Sequence, residues 1–392
     1  MAVMGTALVI VTAFLIAWLL ARAVNYFSLD TWRRSAGQHW ALRARELYPA
    51  RLTAGFNALL IPVDLCLIAG LFHLPVPTWA VAVAGLLGAQ TGNYPVIREI
   101  VPKSRGGPSL GRLFMAVQGL VPLALVAGAM VVMPSHFGMA TWLIAGITFV
   151  LLLALRLGLA MRLLSLIGIL RPAEPRLVGL ISAVAQRMNV PRPDAWVSPT
   201  PLANAYAVVV RRELIFTQGI IDHLSDAQIA AICAHELGHL TEPRRLVYLR
   251  VLQSMLLFPL VFLKPMASLG AAGGPYTLGL AVLILLAAVR LRQMAQRLEI
   301  RADAIATANQ GEPTAYARAL EHLYQVNQMP AVMPNRRRQR HPDLYDRLLA
   351  AGITPDFPRP NPPRRLTPAG RIMFFLSVAL VIVVNGHASF HG

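Results

Sequence analysis

The chain has 392 residues, of which 56% are hydrophobic and only 14% charged, and its mean hydropathy is +0.55. This composition is too apolar for an ordinary soluble domain of that size and indicates an integral-membrane protein whose partner is the lipid bilayer. The formal charge of +18 does not indicate a nucleic-acid partner, because basic residues of membrane proteins concentrate in cytoplasmic loops and the sequence shows no nucleic-acid-binding motif.

Eight apolar stretches are candidates for helices that cross the bilayer, which takes about 20 residues each. The first stretch has no basic region ahead of it and no A-x-A-like cleavage site after it, so we expect it to stay in the protein rather than to be removed as a signal peptide. The stretches run near Met4–Ala21, Phe56–Phe72, Pro77–Gln90, Leu113–Met133, Ala140–Leu163, Leu246–Leu263, Pro275–Leu291 and Ile372–Val384.

These stretches divide the chain into five parts. We predict an N-terminal transmembrane region of about five spans at 1–170, a first polar part at 171–245, two spans at 246–291, a second polar part at 292–357, and a Pro- and Arg-rich linker with the last span at 358–392. The two polar parts are expected to form one domain that the membrane spans interrupt.

The distribution of basic residues predicts the orientation. The loop after the first span and the loop after the third are rich in arginine, whereas the alternate connections offer only Lys264. Under the positive-inside rule both polar parts face the cytoplasm. The chain carries arginine almost everywhere in place of lysine, which hints at a GC-rich bacterial genome, so we expect a multi-pass protein of a bacterial inner membrane.

The first polar part is predicted to be a small α+β unit. A helix is expected near Leu177–Met188, followed by strands near Asp194–Ser198, Ala205–Val210 and Glu213–Thr217. The second polar part is predicted to be mostly helical, with a continuation of the seventh span and a further helix near Pro313–Gln325. Neither of the two cysteines has the spacing of a C-x-x-C zinc site or belongs to a disulfide framework.

The residues around His235 are typical of a zinc site. Ser225-Asp226-Ala227-Gln228 has the form of a capping box and predicts a helix that includes His235-Glu236-Leu237-Gly238-His239. Histidines four apart project from one face of a helix and can reach one zinc ion at about 2.0–2.1 Å, while Glu236 is placed to hold the reacting water. A surface helix with two unrelated histidines is the alternative interpretation.

Two acidic residues on another predicted helix offer the rest of such a site. Catalytic zinc takes a third protein ligand and keeps a fourth position open, and Glu299 would be that ligand. Asp303 would accept the free ring N–H of a ligating histidine and fix its tautomer. Alternatively, both acids pair with Arg297 and Arg301 on a solvated helix face. Together with the histidine motif, the acids favour one Zn²⁺ ion per chain.

The stretch from Leu177 to Leu349 resembles a family of membrane metallopeptidases, the gluzincins that include the HtpX heat-shock proteases and the type I CAAX prenyl endopeptidases. Besides the histidine helix and Glu299–Asp303, Asn204-Ala205-Tyr206-Ala207 is similar to the family's N-A-[FY]-A stretch. His341-Pro342-Asp343-Leu344-Tyr345-Asp346-Arg347 is similar to its H-P-x-x-x-x-R. The eighth span departs from the CAAX-endopeptidase arrangement, so the subfamily stays open.

This resemblance implies a polytopic α-helical membrane protein with a small α+β gluzincin-type zinc metallopeptidase domain. It also implies that Asn204 lies beside the substrate at an edge strand, and that His341 and Arg347 face the carbonyl oxygen on which charge develops. Without the resemblance, Asn204 would be interpreted as a turn residue and Arg347 as a surface charge. The run Arg336–Arg340 is interpreted as a topology signal, and His322 as an ordinary helix-face histidine.

We therefore expect a zinc-dependent metalloendopeptidase that hydrolyses membrane-associated or misfolded polypeptides on the cytoplasmic side. A dedicated processing protease for one peptide, lipoprotein or prenylated substrate is an alternative, as is a peptidase that cleaves a repressor. A non-catalytic membrane scaffold or sensor that has kept the fold is a third, although such a protein would not need Glu236 beside a complete ligand set.

Overall fold

The computed structural model describes residues 2–101, 108–270, 273–334 and 342–391. Sixteen helices and four strands lie in this part of the chain. The helices are α1 (Ala2–Arg34), α2 (Trp40–Leu71), α3 (Thr78–Gly92), α4 (Tyr94–Ile100), α5 (Pro108–Val132), α6 (Met139–Arg156), α7 (Leu159–Leu166), α8 (Pro175–Arg187), α9 (Gln218–His223), α10 (Asp226–Leu240), α11 (Arg244–Ser254), α12 (Leu263–Ala267), α13 (Gly273–Ala308), α14 (Ala315–Val326), α15 (Leu344–Ala350) and α16 (Pro368–His391). The strands are β1 (Arg171–Pro172), β2 (Asp194–Ser198), β3 (Ala205–Val208) and β4 (Glu213–Thr217).

Four helices of the described chain are long and apolar enough to cross a membrane, and they coincide with the first, second, fifth and seventh predicted spans. They are α1, α2, α6 and α13. Shorter apolar helical segments lie at Val121–Val132, Phe258–Ala267 and Pro368–Leu380. The predicted architecture, a multi-span helical protein with a small α+β unit, is confirmed; the division at residues 170, 245, 291 and 357 stays a prediction.

The first membrane helices pack through small residues. Ala17 and Ala21 of α1 are fully buried against α3, which carries Gly88 and Gly92. A Cβ added at Gly88 would meet the carbonyl oxygen of Phe14 and would lie 2.8 Å from Cβ of Ala17. Glycines four apart let two helix backbones approach closely in a bilayer, where packing rather than the hydrophobic effect holds helices together.

The predicted sixth span is wrong as one continuous helix. Helix α11 ends at Ser254, a 3₁₀ helix follows at Phe258–Phe262, and α12 is only five residues long. Pro259 and Pro265 lie in this segment, and a proline removes a backbone donor and clashes with the preceding turn of a regular helix. That this broken segment crosses the bilayer stays a prediction.

The α+β unit has a four-stranded sheet in the order β1-β2-β4-β3. Strand β4 pairs with β2 in parallel and with β3 antiparallel, so β3 lies at one edge of the sheet. The unit's core includes fully buried Leu214 and Phe216 of β4 and Leu237 of α10. Two predicted strands have the expected bounds, and the third ends at Val208 instead of Val210.

Two membrane helices connect this unit to the bilayer. Helix α13 continues without a break from its apolar half into the unit, where it packs on α10. The N-terminal turns of α2 reach the unit's core through buried Ala41. The positions of the polar residues on α10 and α13 are therefore fixed relative to the membrane helices.

The contact between α1 and α3 leads to a stability prediction. We expect Gly88→Leu to destabilise the detergent-purified protein by at least the roughly 1–3 kcal/mol typical of overpacked cores, because the new side chain meets backbone atoms of α1. The control is Gly146→Leu on α6, an exposed glycine whose Cβ would meet nothing within 4 Å. Thermal unfolding of both variants is the measurement. Equal melting temperatures would contradict the close helix contact.

Candidate metal centre

Helix α10 holds the two histidines in the interior. Its N-cap Ser225 and Gln228 form the predicted capping box, in which each side chain bonds to the other residue's backbone N–H. The ring centroids of His235 and His239 lie 4.9 Å apart, and both residues are buried, as is Glu236 between them. The alternative of a surface helix is therefore wrong.

Helix α13 brings the acidic residues to the histidines. A Cβ added at Gly238 would lie 3.4 Å from Cα of Ala302, so two small residues let α10 and α13 pack closely. Oε2 of Glu299 lies 3.4 Å from Nε2 of His235 and 3.4 Å from Nε2 of His239. Ligand atoms of these three residues all lie within 4.8 Å of one another.

The three residues fit a zinc ion. Two imidazole nitrogens and one carboxylate are the donor set of catalytic zinc sites, which leave a fourth position for water or substrate. The Nδ1 atoms of both histidines are engaged with carboxylates on the far side, so the Nε2 atoms that face Glu299 are the ones left to bind a metal.

His235 is held by a cluster of three side chains. Its Nδ1 lies 2.7 Å from Oη of Tyr316 and 3.2 Å from Oδ1 of Asp303. Tyr316 donates its hydroxyl proton to Asp303 at 2.6 Å, and Nη2 of Arg347 donates to the same carboxylate oxygen at 2.6 Å. Asp303 thus lies next to the ring nitrogen of His235 that faces away from Glu299, and its role toward a metal ligand stays a prediction.

His239 is held by a second, separate pair. Its Nδ1 lies 2.7 Å from Oε1 of Glu242, whose side chain is fully buried, and Nη2 of Arg250 donates to the same oxygen at 2.6 Å. Each histidine therefore has one carboxylate and one arginine behind it. This arrangement fixes both ring orientations before any metal binds.

The electrostatics of the site favour a positive charge at the histidines. Burial lowers the pKa of His235, but hydrogen bonds to Asp303 and Glu299 and the charge of Glu236 outweigh burial and raise this pKa to about 9. Glu242 and Glu299 likewise raise the pKa of His239 against the effect of burial. Burial raises the pKa of Glu236 above its usual value. A divalent cation supplies the charge that this surrounding favours.

A cleft of about 400 Å³ opens beside the three candidate ligands. Strand β3 and the residues just before it form one wall, and α14 with the segment after it forms another. Both Asn204, directly ahead of β3, and Arg347 line the cleft. The side chain of Arg347 is only 9% exposed, so its interpretation as a surface charge is wrong.

Two sequence predictions fall elsewhere. His341 and the run Arg336–Arg340 lie outside the described residues. His322 is on α14 as expected, where its Nδ1 lies 3.1 Å from Oε1 of Gln228. It does not belong to the group of candidate ligands.

Sequence reasoning missed Glu242, Arg250 and Tyr316. The three-residue spacing from His239 to Glu242 could have suggested their contact, because such residues are neighbours on a helical turn. Tyr316 and Arg250 carry no local signal, since each reaches the site from a different helix.

Residues 173–352 match peptidase family M48. A protease HtpX homologue of Trichormus variabilis is 30% identical over 166 residues, which is 38% of this chain and 57% of that protein. An HtpX homologue of Arthrobacter sp. is 27% identical over 215 residues, or 50% of this chain and 71% of the other. The plastoglobule-localized metallopeptidase 48 of Arabidopsis thaliana is 34% identical over 65 residues, 16% of this chain and 19% of that one.

The chain spans little more than half the length of the HtpX homologues that it matches. The matched share is 57%, 60% and 52% of the length of three of them. The matched region contains β2 to β4, α10 and α14, and also the broken segment and α13. All candidate ligands therefore lie inside it. The predicted resemblance to HtpX-like membrane metallopeptidases and the predicted gluzincin-type fold class are confirmed.

The pair behind His239 leads to a metal-binding prediction. We expect Glu242→Gln to weaken zinc binding about 10- to 100-fold, since a partner of this kind orients the ligand and raises its basicity. Zinc content after dialysis against graded chelator is the measurement. Glu312→Gln, at an exposed glutamate, is the control and should retain zinc like the wild type. Identical retention in both variants would exclude this role for Glu242.

Proposed function

Because residues 173–352 match peptidase family M48, we propose that this chain is an integral-membrane, zinc-dependent endopeptidase that hydrolyses membrane-associated or misfolded polypeptides. The observation that carries the proposal is the convergence of His235, His239 and Glu299 next to Glu236, in a cleft with an edge strand as its wall. Such a site needs ligands for a metal, a base and a place for an extended chain, and the residues that line the cleft could supply all three.

His235, His239 and Glu299 would hold the metal. Zinc, when bound there, lowers the pKa of a water toward 7 and polarises the scissile carbonyl. The remaining chemistry belongs to side chains of the protein.

Glu236 is the general base and acid in this proposal. It takes a proton from the attacking water and returns it to the leaving amine as the peptide C–N bond breaks. Its burial between the two histidines keeps the carboxylate away from bulk water and raises its pKa, which suits a group that must both accept and donate a proton.

The polypeptide would lie along β3 as an added strand. Main-chain hydrogen bonds to an edge strand bind an extended segment without regard to most of its side chains. Asn204 lines the cleft at the start of this strand. We propose that its side chain contacts the substrate next to the scissile bond.

Arg347 and His341 would stabilise the oxyanion. Arg347 lines the cleft and is at the same time held by Asp303 and Tyr316. A positive group that is fixed in this way needs no reorganisation when charge develops on the carbonyl oxygen. The role of His341 rests on the sequence pattern.

We propose that the cleft faces the cytoplasm of a bacterial cell and that the enzyme acts in quality control. The arginine-rich connections lie on the same predicted side as the α+β unit. A cleft that recognises backbone at an edge strand suits substrates with varied sequences.

The proposal predicts that Glu236→Gln abolishes cleavage and keeps the metal. We expect the rate of casein cleavage by detergent-purified protein to fall by at least about 100-fold, the usual effect of losing a general base, with about one zinc retained per chain. Glu213→Gln is the control, because Glu213 is also buried but pairs with Arg211 away from the cleft. Full activity of Glu236→Gln would exclude the mechanism.

If the wild type binds zinc and cleaves no casein, the protein is either a dedicated processing protease or a non-catalytic scaffold. Substrate trapping on the Glu236→Gln variant then separates the two, since a processing protease retains one partner polypeptide and a scaffold retains none through the cleft.

The orientation leads to a labelling prediction. With Cys66 and Cys233 replaced by alanine, we expect a membrane-impermeant maleimide to label Ser135→Cys in intact cells, because the connection 134–138 is predicted to lie outside. Glu312→Cys in the α+β unit should be labelled only after lysis. Both positions are exposed to solvent, so the reverse pattern would place the cleft outside the cytoplasm.

A further inference from the structure

Asn327 follows α14 directly and lines the cleft opposite β3. Its side chain is buried and is hydrogen-bonded to the backbone of Ala203, two residues ahead of that strand. Oδ1 of Asn327 accepts a hydrogen bond from the backbone N–H of Ala203 at 2.9 Å, and Nδ2 donates to the carbonyl oxygen of Ala203 at 2.7 Å. One amide thus engages both backbone groups of one residue, as a paired strand would.

The register of β3 shows which edge Ala203 faces. The backbone N–H of Thr217 on β4 donates to the carbonyl oxygen of Asn204 at 3.0 Å, so the backbone carbonyl of Asn204 points toward β4. Neighbouring residues of an antiparallel strand alternate between facing the partner and facing away. The backbone groups of Ala203, Ala205 and Ala207 therefore face the open edge, where an added strand would pair. The N–H of Ala207 donates to the carboxylate of Glu236, which leaves the carbonyl of Ala207 to a bound chain.

The backbone groups along this edge thus differ in how easily a substrate can reach them. The backbone groups of Ala203 are taken by Asn327, and the N–H of Ala205 donates to Oδ1 of Asn204 at 2.9 Å, a contact within one dipeptide that a substrate can displace at little cost. A substrate that displaced Asn327 would have to leave a buried amide without partners, which costs far more.

We propose that Asn327 is a positioning residue that closes the open edge of β3 at Ala203. This inference rests on the proposed function. A bound polypeptide pairs with the edge at Ala205 and at the carbonyl of Ala207 and leaves it at Ala203. The enzyme then needs only a short extended stretch on that side of the scissile bond, so its substrate class includes chains that fold or enter the bilayer a few residues beyond it.

A residue of a membrane helix holds the backbone of Asn327 in place. Nη2 of Arg51 on α2 donates to the backbone carbonyl of Asn327 at 3.0 Å. Helix α2 is one of the four long apolar helices. The position where the substrate edge ends is therefore fixed by a membrane helix.

The test compares KM for an unfolded reporter peptide and for versions shortened from either end. In the wild type, we expect removal of the residues beyond the pairing limit at one end to leave KM unchanged. In Asn327→Ala, the same residues pair with the freed backbone of Ala203, so their removal should raise KM about 5-fold, with kcat unchanged, as loss of a net hydrogen bond predicts. Gln325→Ala, an exposed position on the same helix, should behave like the wild type.

Asn327→Asp is the second variant, because it keeps the volume and the acceptor for the N–H of Ala203 but loses the donor for its carbonyl. We expect this variant to show an intermediate dependence on peptide length. Amide exchange at Ala203 should stay slow in Asn327→Asp and become fast in Asn327→Ala. Folded, zinc-loaded variants with the wild-type length profile would overturn the proposal.

If the wild type cleaves no peptide, the proposed function fails, and peptide binding still decides the role of Asn327. In that case, amide exchange of β3 is measured with and without the same peptides. Additional protection on adding peptide that appears at Ala205 in both proteins, and at Ala203 only in the Asn327→Ala variant, supports the edge limit. An equal effect of the peptide on Ala203 in both proteins overturns it.

Discussion

The close crossing of α10 and α13 is the contact on which the rest of the site depends. Gly238 and Ala302 are small enough to let the two helices meet, and this contact places Glu299 at 3.4 Å from both histidines. The same crossing buries carboxylates and imidazoles in one place, which is costly unless each group is paired. The surrounding clusters therefore follow from the crossing: Asp303 with Tyr316 and Arg347 on one side, and Glu242 with Arg250 on the other.

Helix α13 also explains how the site relates to the membrane. Its first half is apolar and exposed, whereas its second half carries Glu299 and Asp303 into the α+β unit. A continuous helix rises about 1.5 Å per residue and transmits position over its whole length. The candidate metal centre thus lies at a fixed distance from the apolar half of α13. Under the proposed function, a substrate that is anchored in the membrane would have to reach that level.

Local sequence signals predicted those elements whose stabilising contacts join residues that are near each other in the sequence. The capping box at Ser225 located α10, and short β-like runs located β2, β3 and β4 to within two residues. The sixth span, Leu246–Leu263, was predicted wrongly as one helix because hydropathy averages over Pro259 and Arg250. The charge of Arg250 is compensated by Glu242, a residue outside that span. Tyr316 could not be found from local signals, since its partners lie 13 and 81 residues away in the chain.

The two sides of the cleft divide the work between side chains and backbone. On the α10 side, charge and ligand geometry suit a divalent metal, and both histidines are fixed by partners. On the β3 side, the proposed contacts of a polypeptide are with backbone groups, and Asn327 would limit their number because it binds both backbone groups of Ala203. Selectivity that comes from the length of an edge rather than from a side-chain pocket discriminates by local unfolding, because only an extended segment can pair with a strand. Under the proposed function, the site would therefore distinguish unfolded chains from folded ones by their extended backbone rather than by their side chains.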